Sequence, residues 1–393
     1  MVAALPQLAV ASPGLYVHLP FCSAVCPYCD FAVARASEGR RLRFVESLLA
    51  EIRLVAPVEK ADFDTLYFGG GTPSILPPEE LGRLIATCRA ELGLSEQAWL
   101  FLEANPEDVR LETLLAWREL GVHTLSLGVQ SFDDAELAFL GRRHRGLEAA
   151  RAVALAREAG FPTLSIDLIY GLPSQAAGAW RGQLERALSL GIDHLSCYQL
   201  TVHPATAFGK RRRQGALFEL PEPEQAALFE LTHRVLADHG LPAYEVSNFA
   251  AGPEHRSRHN LKYWHHQPYL GLGPSAHSFD GGRRRFWNER RVDPYGQRLR
   301  MGERPLAGEE VLSRSELALE ALMLGLRTTE GLDLQTFAGR FGCDLIATNA
   351  RRLAELERGG LLEMGAGRLR LSLAGLALAD GLAASLELGD IPN

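Results

Sequence analysis

Over its first half the chain alternates short apolar runs with amphipathic stretches. The runs are Leu15–Leu19, Thr65–Phe68, Trp99–Glu103, Thr124–Val129, Thr163–Ile169 and His194–Leu200, each rich in β-branched or aromatic residues. Their length and apolar character predict strands buried on both faces, as in a parallel sheet covered by helices. The stretches between them, Arg41–Leu54, Pro78–Leu92, Leu111–Leu120, Leu147–Ala159 and Trp180–Leu190, carry apolar residues at helical spacing. Pro77, Pro78, Glu79 and Glu80 suit a helix start, because proline spends no bonded N–H there and carboxylates favour the positive end of the helix dipole. Six βα units fall short of the eight in a closed barrel, so the pattern predicts an α/β fold built on an open, incomplete (β/α)6 barrel.

Chemistry in such folds gathers at the C-terminal ends of the strands. Glu103 ends the third run, Gln130 follows the fourth and Asp167 lies near the end of the fifth. Polar residues at three equivalent strand ends point to one shared site more than to three solvated loops. Beyond residue 203 the character changes. A basic run (Lys210 to Arg213) and a helix near Pro223–His239 precede a segment dense in histidine, arginine and aromatics, from His255 to Trp287. From about residue 307 the composition turns to Leu, Ala, Arg and Glu at helical spacing, with a hairpin expected over Leu361–Glu363 and Arg368–Leu371. The expected organisation is a core over 1–205, a barrel extension over 206–300 and a small, mainly helical C-terminal domain over 301–393.

Composition narrows this picture. With 393 residues and 47% hydrophobic content the chain can bury a large core, and a net charge of −7 argues against a general attraction to nucleic acid. No apolar run reaches the roughly 18 residues of a membrane span, so stable membrane insertion is not expected. The N-terminal stretch 1–14 is mildly apolar but lacks a basic leading segment, and a secretory cleavage site there would crowd the cysteines that follow. Six cysteines are too sparse for a disulfide scaffold, which points to a reducing, cytoplasmic setting. Cys88, Cys197 and Cys343 stand alone in apolar surroundings and read as core residues.

The other three, Cys22, Cys26 and Cys29, have C-x3-C-x2-C spacing directly after the first strand. Three thiolates on so short a loop can converge on one metal centre. They leave a structural zinc site one ligand short unless a histidine completes it. In a cubane iron–sulfur cluster they leave one iron open to an outside ligand. Phe21, Tyr28 and Phe31 flank them and can limit access of water and oxygen. Gly69, Gly70, Gly71, Thr72 and Pro73 follow the second strand, where the missing Cβ atoms let a ligand approach the backbone.

The segment Tyr16-Val-His-Leu-Pro-Phe-Cys-x3-Cys-Pro-Tyr-Cys-Asp-Phe resembles the radical S-adenosylmethionine (SAM) superfamily, and within it the branch similar to oxygen-independent coproporphyrinogen III oxidase. The likeness extends over most of the chain, through the C-terminal domain. It implies a radical SAM barrel with a [4Fe–4S] cluster on Cys22, Cys26 and Cys29, and S-adenosylmethionine at the open iron. It also implies that Gly70, Gly71 and Thr72 lie near the methionine end, with Tyr16, Tyr28, Glu103, Gln130, Arg142 and Asp167 contacting the cofactor. In the oxidases some of these positions serve a second S-adenosylmethionine. Cleavage of the sulfonium would give a 5′-deoxyadenosyl radical, chemistry that belongs to the cofactors.

The oxidases carry a further cysteine two residues after the third, where this chain has Phe31. Cys-Pro-Tyr-Cys-Asp-Phe and the segment His259-Asn260-Leu261-Lys262-Tyr263-Trp264 instead resemble the haem chaperone group HemW. Around that segment lie His255, His265, His266, His277, Arg256, Arg258 and Arg283 to Arg285. Imidazole can ligate haem iron, aromatic rings can pack on the macrocycle, and arginine can pair with propionates. The resemblance therefore implies a haem-binding protein, with His259, Asn260, Tyr263 and Trp264 at the haem. It would take haem from a donor and deliver it to apo-cytochromes, with at most transient membrane association. Two alternatives stay open: an oxidase converting coproporphyrinogen III to protoporphyrinogen IX, and a radical SAM methyltransferase.

Overall fold

The computed structural model describes residues 12–35 and 37–391. Residues 1–11, most of the stretch weighed against a secretory signal, lie outside them. The first half runs β1 (Gly14–Leu19), α1 (Glu38–Glu59), β2 (Phe63–Gly70), α2 (Pro78–Thr87), β3 (Leu94–Ala104), α3 (Leu111–Glu119), β4 (Val122–Gln130), α4 (Asp134–Phe139), α5 (Gly146–Glu158), β5 (Thr163–Tyr170), α6 (Ala177–Ser189) and β6 (His194–Gln199). All six expected strands and all five expected helices are present. The short α4 is an addition to the expected set, although Asp133 followed by Glu136 is a start signal: the Asp133 carboxylate accepts from the N–H groups of Ala135 and Glu136. Helix α1 runs past the expected end through Pro57, which forfeits its own intrahelical bond, and the helix stops two residues later.

The chain continues through α7 (Ala207–Arg213), α8 (Glu222–Asp238), β7 (Asn248–Ala250), α9 (Arg258–Trp264), β8 (Tyr269–Leu272), β9 (His277–Phe279), β10 (Arg284–Asn288), α10 (Val292–Arg300) and β11 (Leu306–Val311). These strands extend the same sheet on both sides, in the order β11-β10-β9-β8-β1-β2-β3-β4-β5-β6-β7. Strands β1 to β6 pair in parallel as neighbours, and β8 adds to β1 in parallel. Strands β7, β9, β10 and β11 join antiparallel. β1 and β6 do not pair with each other: β1 pairs outward with β8 and β6 with β7, so the barrel stays open.

The remaining chain forms α11 (Arg314–Leu326), β12 (Leu332–Asp333), α12 (Leu334–Phe341), α13 (Leu345–Arg358), β13 (Leu362–Gly365), β14 (Arg368–Leu371), α14 (Leu373–Leu376) and α15 (Ala379–Ala384). Its three strands make a small sheet in the order β12-β14-β13, which contains the expected hairpin. Among the described residues no helix is long and apolar enough to cross a membrane. Cys88, Cys197 and Cys343 are buried, and all six cysteines are free thiols.

In one respect the barrel strands depart from expectation: they are not apolar on both faces. Leu15, Val17, Leu66, Phe68, Leu100, Leu102, Leu125, Leu127, Leu164 and Ile166 belong to the core packed under the helices. The residues between them on β2 to β6, among them Tyr67, Glu103, Ser126, Asp167 and Ser196, line an interior cavity. The strands therefore alternate, with one face closed by helices and the other turned to a polar chamber.

Candidate cofactor site

The cysteines sit on the loop after β1, and backbone hydrogen bonds fix that loop from both sides. The Gly71 N–H donates to Leu19 O at 2.8 Å, and the Thr72 N–H to Phe21 O at 2.8 Å. Cys22 N–H donates to Ala34 O at 3.1 Å, and Phe208 N–H, from α7, to Pro27 O at 2.9 Å. The glycine turn is packed against this loop so closely that a Cβ on Gly71 would lie 2.7 Å from Phe21 O and 2.8 Å from Leu19 O. At Gly70 the backbone has φ +109, a conformation open to glycine, and a Cβ would meet His18 Nδ1 at 2.5 Å.

Side-chain donors reach two of the three sulfurs, and the Phe31 backbone N–H reaches Cys29. The Thr72 hydroxyl donates to Cys22 Sγ at 3.4 Å and the Arg142 guanidinium to Cys26 Sγ at 3.6 Å. Burial pushes the Cys22 thiol up to about 11 and also raises that of Cys29, so without a cation both stay protonated near neutral pH. Bound iron would reverse that preference. Among the described residues no three His, Cys, Asp or Glu side chains close round a single ion. A cubane distributes its thiolates over separate iron corners and accommodates a wider set. The set of three thiols, with Thr72, Arg142 and the Phe31 N–H aimed at sulfur, fits such a cluster.

The chamber beside the cysteines has a volume of about 380 Å³, and Tyr28, Gly70, Gly71, Thr72, Glu103, Gln130, Arg142 and Asp167 all line it. Glu103 accepts a 2.8 Å hydrogen bond from the Tyr67 hydroxyl. Burial pushes its carboxyl up to about 7, opposed by the Tyr67 bond and assisted by the nearby Asp167. Asp167 accepts from Ser126 at 3.1 Å, and burial raises it to about 6 against the bonds from Ser196 and Ser126. Two carboxyl groups so disposed gain from hydroxyl or ammonium donors on a ligand. Gln130 closes β4 with φ 68, a costly value for a residue with a Cβ, where the register to β5 shifts. Arg142 is drawn into the chamber wall. Its guanidinium donates to Asn105 Oδ1 at 2.6 Å and Gly128 O at 2.8 Å, while its buried Nε has no partner among the described residues.

Tyr16 does not line this chamber. Its hydroxyl hydrogen-bonds His18 Nδ1 at 3.1 Å, and it faces a second cavity beside β1. Conversely, Asn105 belongs to the site although no motif marks it. Its amide donates to Thr72 Oγ1 at 3.2 Å while its oxygen holds Arg142, so one side chain links the glycine turn to the arginine. Its place two residues beyond Glu103, just past a strand end, is the available signal.

The expected haem residues on α9 do not converge. His259 is 1% exposed. Its Nδ1 bonds the Thr65 hydroxyl at 2.9 Å and its Nε2 the Tyr263 hydroxyl at 2.8 Å, so both ring nitrogens are engaged beneath the starts of β1 and β2. Burial holds its pKa down to about 3, as a neutral, structural imidazole. Asn260 reaches the chamber, Tyr263 lines the second cavity, and Trp264 lies under the Arg327 guanidinium at 5.9 Å. A single haem face over these four residues is not what the structure contains, because α9 is wedged between the barrel and the C-terminal helices and presents its sides to different neighbours.

An open parallel barrel with three free cysteines after β1 and a glycine turn after β2 is the fold of a radical SAM protein, and the profile of the Radical SAM superfamily matches residues 16–178. A HemN C-terminal domain profile matches residues 312–378. The chain belongs to the HemW family within that superfamily. The haem chaperone HemW of Bacillus subtilis is 35% identical over 350 residues, covering 88% of this chain and 92% of its own. HemW of Escherichia coli is 38% identical over 276 residues, covering 69% of this chain and 71% of its own. The solved structure of the radical SAM enzyme coproporphyrinogen III oxidase (HemN) from Escherichia coli superposes with a TM-score of 0.81 at 24% identity, covering 96% of this chain and 91% of that one. At that identity the likeness is one of fold.

Proposed function

We propose that this chain is a haem chaperone that carries a [4Fe–4S] cluster on Cys22, Cys26 and Cys29, binds S-adenosylmethionine beside it, and passes haem from a donor to apo-cytochromes in the cytoplasm. The observation that carries the reading is the likeness to HemW proteins along nearly the whole chain, 88% of it for the Bacillus subtilis relative.

The chain's own residues divide the task. Cys22, Cys26 and Cys29 hold the cluster, with Thr72 and Arg142 stabilising thiolate charge on two sulfurs. The glycine turn offers backbone to the methionine end of the cofactor, and Glu103 and Asp167 accept from its ammonium or hydroxyl groups. Gln130, Arg142 and Tyr28 complete the wall, while Tyr16 acts from behind it through His18. The electron chemistry is what a bound cluster supplies to the sulfonium; the barrel contributes position and a chamber shielded by helices.

The test is anaerobic cluster reconstitution followed by haem titration and a coproporphyrinogen III turnover assay. Stoichiometric haem binding without sustained decarboxylation is the expected result. Sustained conversion to protoporphyrinogen IX would overturn the carrier reading in favour of the oxidase, and a methylated acceptor would favour a methyltransferase.

A further inference from the structure

The second cavity lies behind Tyr16 and His18, between β1, the β8–β9 region and the end of the cysteine loop. It has a volume of about 330 Å³ and shares Asp30 and Phe31 with the cofactor chamber. Its inner groups are already committed. His18 uses Nδ1 with the Tyr16 hydroxyl at 3.1 Å and Nε2 with Ala32 O at 3.0 Å, and the Tyr263 hydroxyl bonds His259 at 2.8 Å.

Three groups lining it are not. His277 is exposed and its imidazole has no hydrogen-bond partner among the described residues; the ring is steadied by stacking on Trp287 at 5.6 Å and 24°. Arg290 donates one bond to Asp30 O at 3.1 Å and has no ion pair among the described residues. Phe31 is 64% exposed, an unusual state for a large apolar side chain. An uncommitted imidazole, an unpaired guanidinium and bare aromatic surface around one opening match a planar, apolar, anionic ligand with a metal at its centre.

The other histidines of the 255–287 segment are poorer candidates. His255 bonds Thr163 at 2.9 Å, His259 is enclosed, and His266 bonds Glu320 at 3.1 Å. His265 is exposed but lines neither cavity. Burial, with Arg285 adding to it, lowers the pKa of His277, which keeps the imidazole neutral and able to ligate at neutral pH.

We infer that this second cavity is where haem docks, with the His277 imidazole as an axial ligand to the iron, Phe31 against the macrocycle and Arg290 opposite a propionate. The assignment rests on the haem-carrier reading above and supplies its site. The volume is at the small end of the roughly 300–1,000 Å³ typical of ligand pockets, so one edge of the macrocycle stays outside, open to an acceptor. Because Phe31 and Asp30 belong to the cysteine loop, docked haem touches the segment that carries the cluster.

The test is an anaerobic haem titration of the reconstituted full chain, followed by visible and electron paramagnetic resonance spectra of the ferric complex. His277→Ala is expected to weaken binding roughly tenfold or more and to remove the nitrogen-ligation signature. Added imidazole should restore that signature. Arg290→Ala should weaken binding roughly threefold, and His265→Ala should match the parent. Circular dichroism melts check that these exposed-site variants fold. A parent that binds haem, with a His277→Ala variant of equal affinity and identical spectrum, overturns the site and leaves the carrier reading standing. A parent that binds no haem overturns both.

Discussion

Gly71→Ala probes the joint between the glycine turn and the cysteine loop. The new Cβ would sit 2.7 Å from Phe21 O, 2.8 Å from Leu19 O and 2.9 Å from Phe21 N, against an ordinary contact of 3.4 Å or more. All three neighbours are backbone atoms, so no rotamer change can relieve the contact. The same segments are tied by the bonds from Gly71 N to Leu19 O and from Thr72 N to Phe21 O, each 2.8 Å. Overpacking of this kind costs about 1–3 kcal/mol, and weakening one of those hydrogen bonds adds about 1 kcal/mol. The expected loss is therefore about 2–4 kcal/mol, read from urea denaturation. The strain falls on the residue preceding Cys22, so iron and sulfide per chain after anaerobic reconstitution should fall as well. Gly182→Ala is the control: it lies within α6, where the added methyl would meet nothing within 4 Å, and should gain about 1 kcal/mol. Parental stability and full iron content in Gly71→Ala would refute the claim that these backbones are in forced contact.

Three further outcomes follow from the same geometry. Cys22→Ser, Cys26→Ser and Cys29→Ser should each lose most cluster iron while the buried Cys88→Ala retains it; iron and sulfide analysis that failed to separate the two groups would remove the loop as the cluster site. The Glu51 carboxylate accepts from the Tyr295 hydroxyl at 2.6 Å, Asn288 Nδ2 at 2.6 Å and Gly273 N at 2.8 Å, yet burial outweighs these bonds and raises its pKa from 4.5 to about 7. The folded chain then holds that proton more tightly, so its contribution is full below about pH 4.5 and falls, by up to about 3 kcal/mol, as pH rises through 7. Glu51→Gln should flatten that part of the pH–stability profile, and an unchanged slope would contradict the burial argument. His259→Ala should cost about 2–4 kcal/mol in urea denaturation, through the cavity it leaves and the orphaned Thr65 hydroxyl; a neutral substitution would make His259 a candidate ligand again.

The local order of the chain was legible without coordinates. Apolar runs and amphipathic stretches marked β1 to β6 and the main helices, because a strand or helix is specified by neighbours in sequence. The cysteine spacing set Cys22, Cys26 and Cys29 apart as one group for the same reason, and all three line the chamber. Strand ends placed Glu103, Gln130 and Asp167 in one chamber, since parallel strands deliver their C-termini to one side.

Only the tertiary structure decided the rest. Periodicity did not reveal that Tyr67, Ser126 and Ser196 face a polar chamber, because burial under helices and exposure to an internal cavity both tolerate apolar neighbours in sequence. Arg142, one of four successive basic residues, was separated from its neighbours only by the Asn105 and Gly128 acceptors, contributed from the loop after β3 and from β4. His259 carried the strongest local signature and proved enclosed, while His277, without a motif, stands free at a cavity. Whether a histidine is a ligand or a strut depends on which atoms the fold brings to its two nitrogens, and those atoms come from residues such as Thr65, distant along the chain.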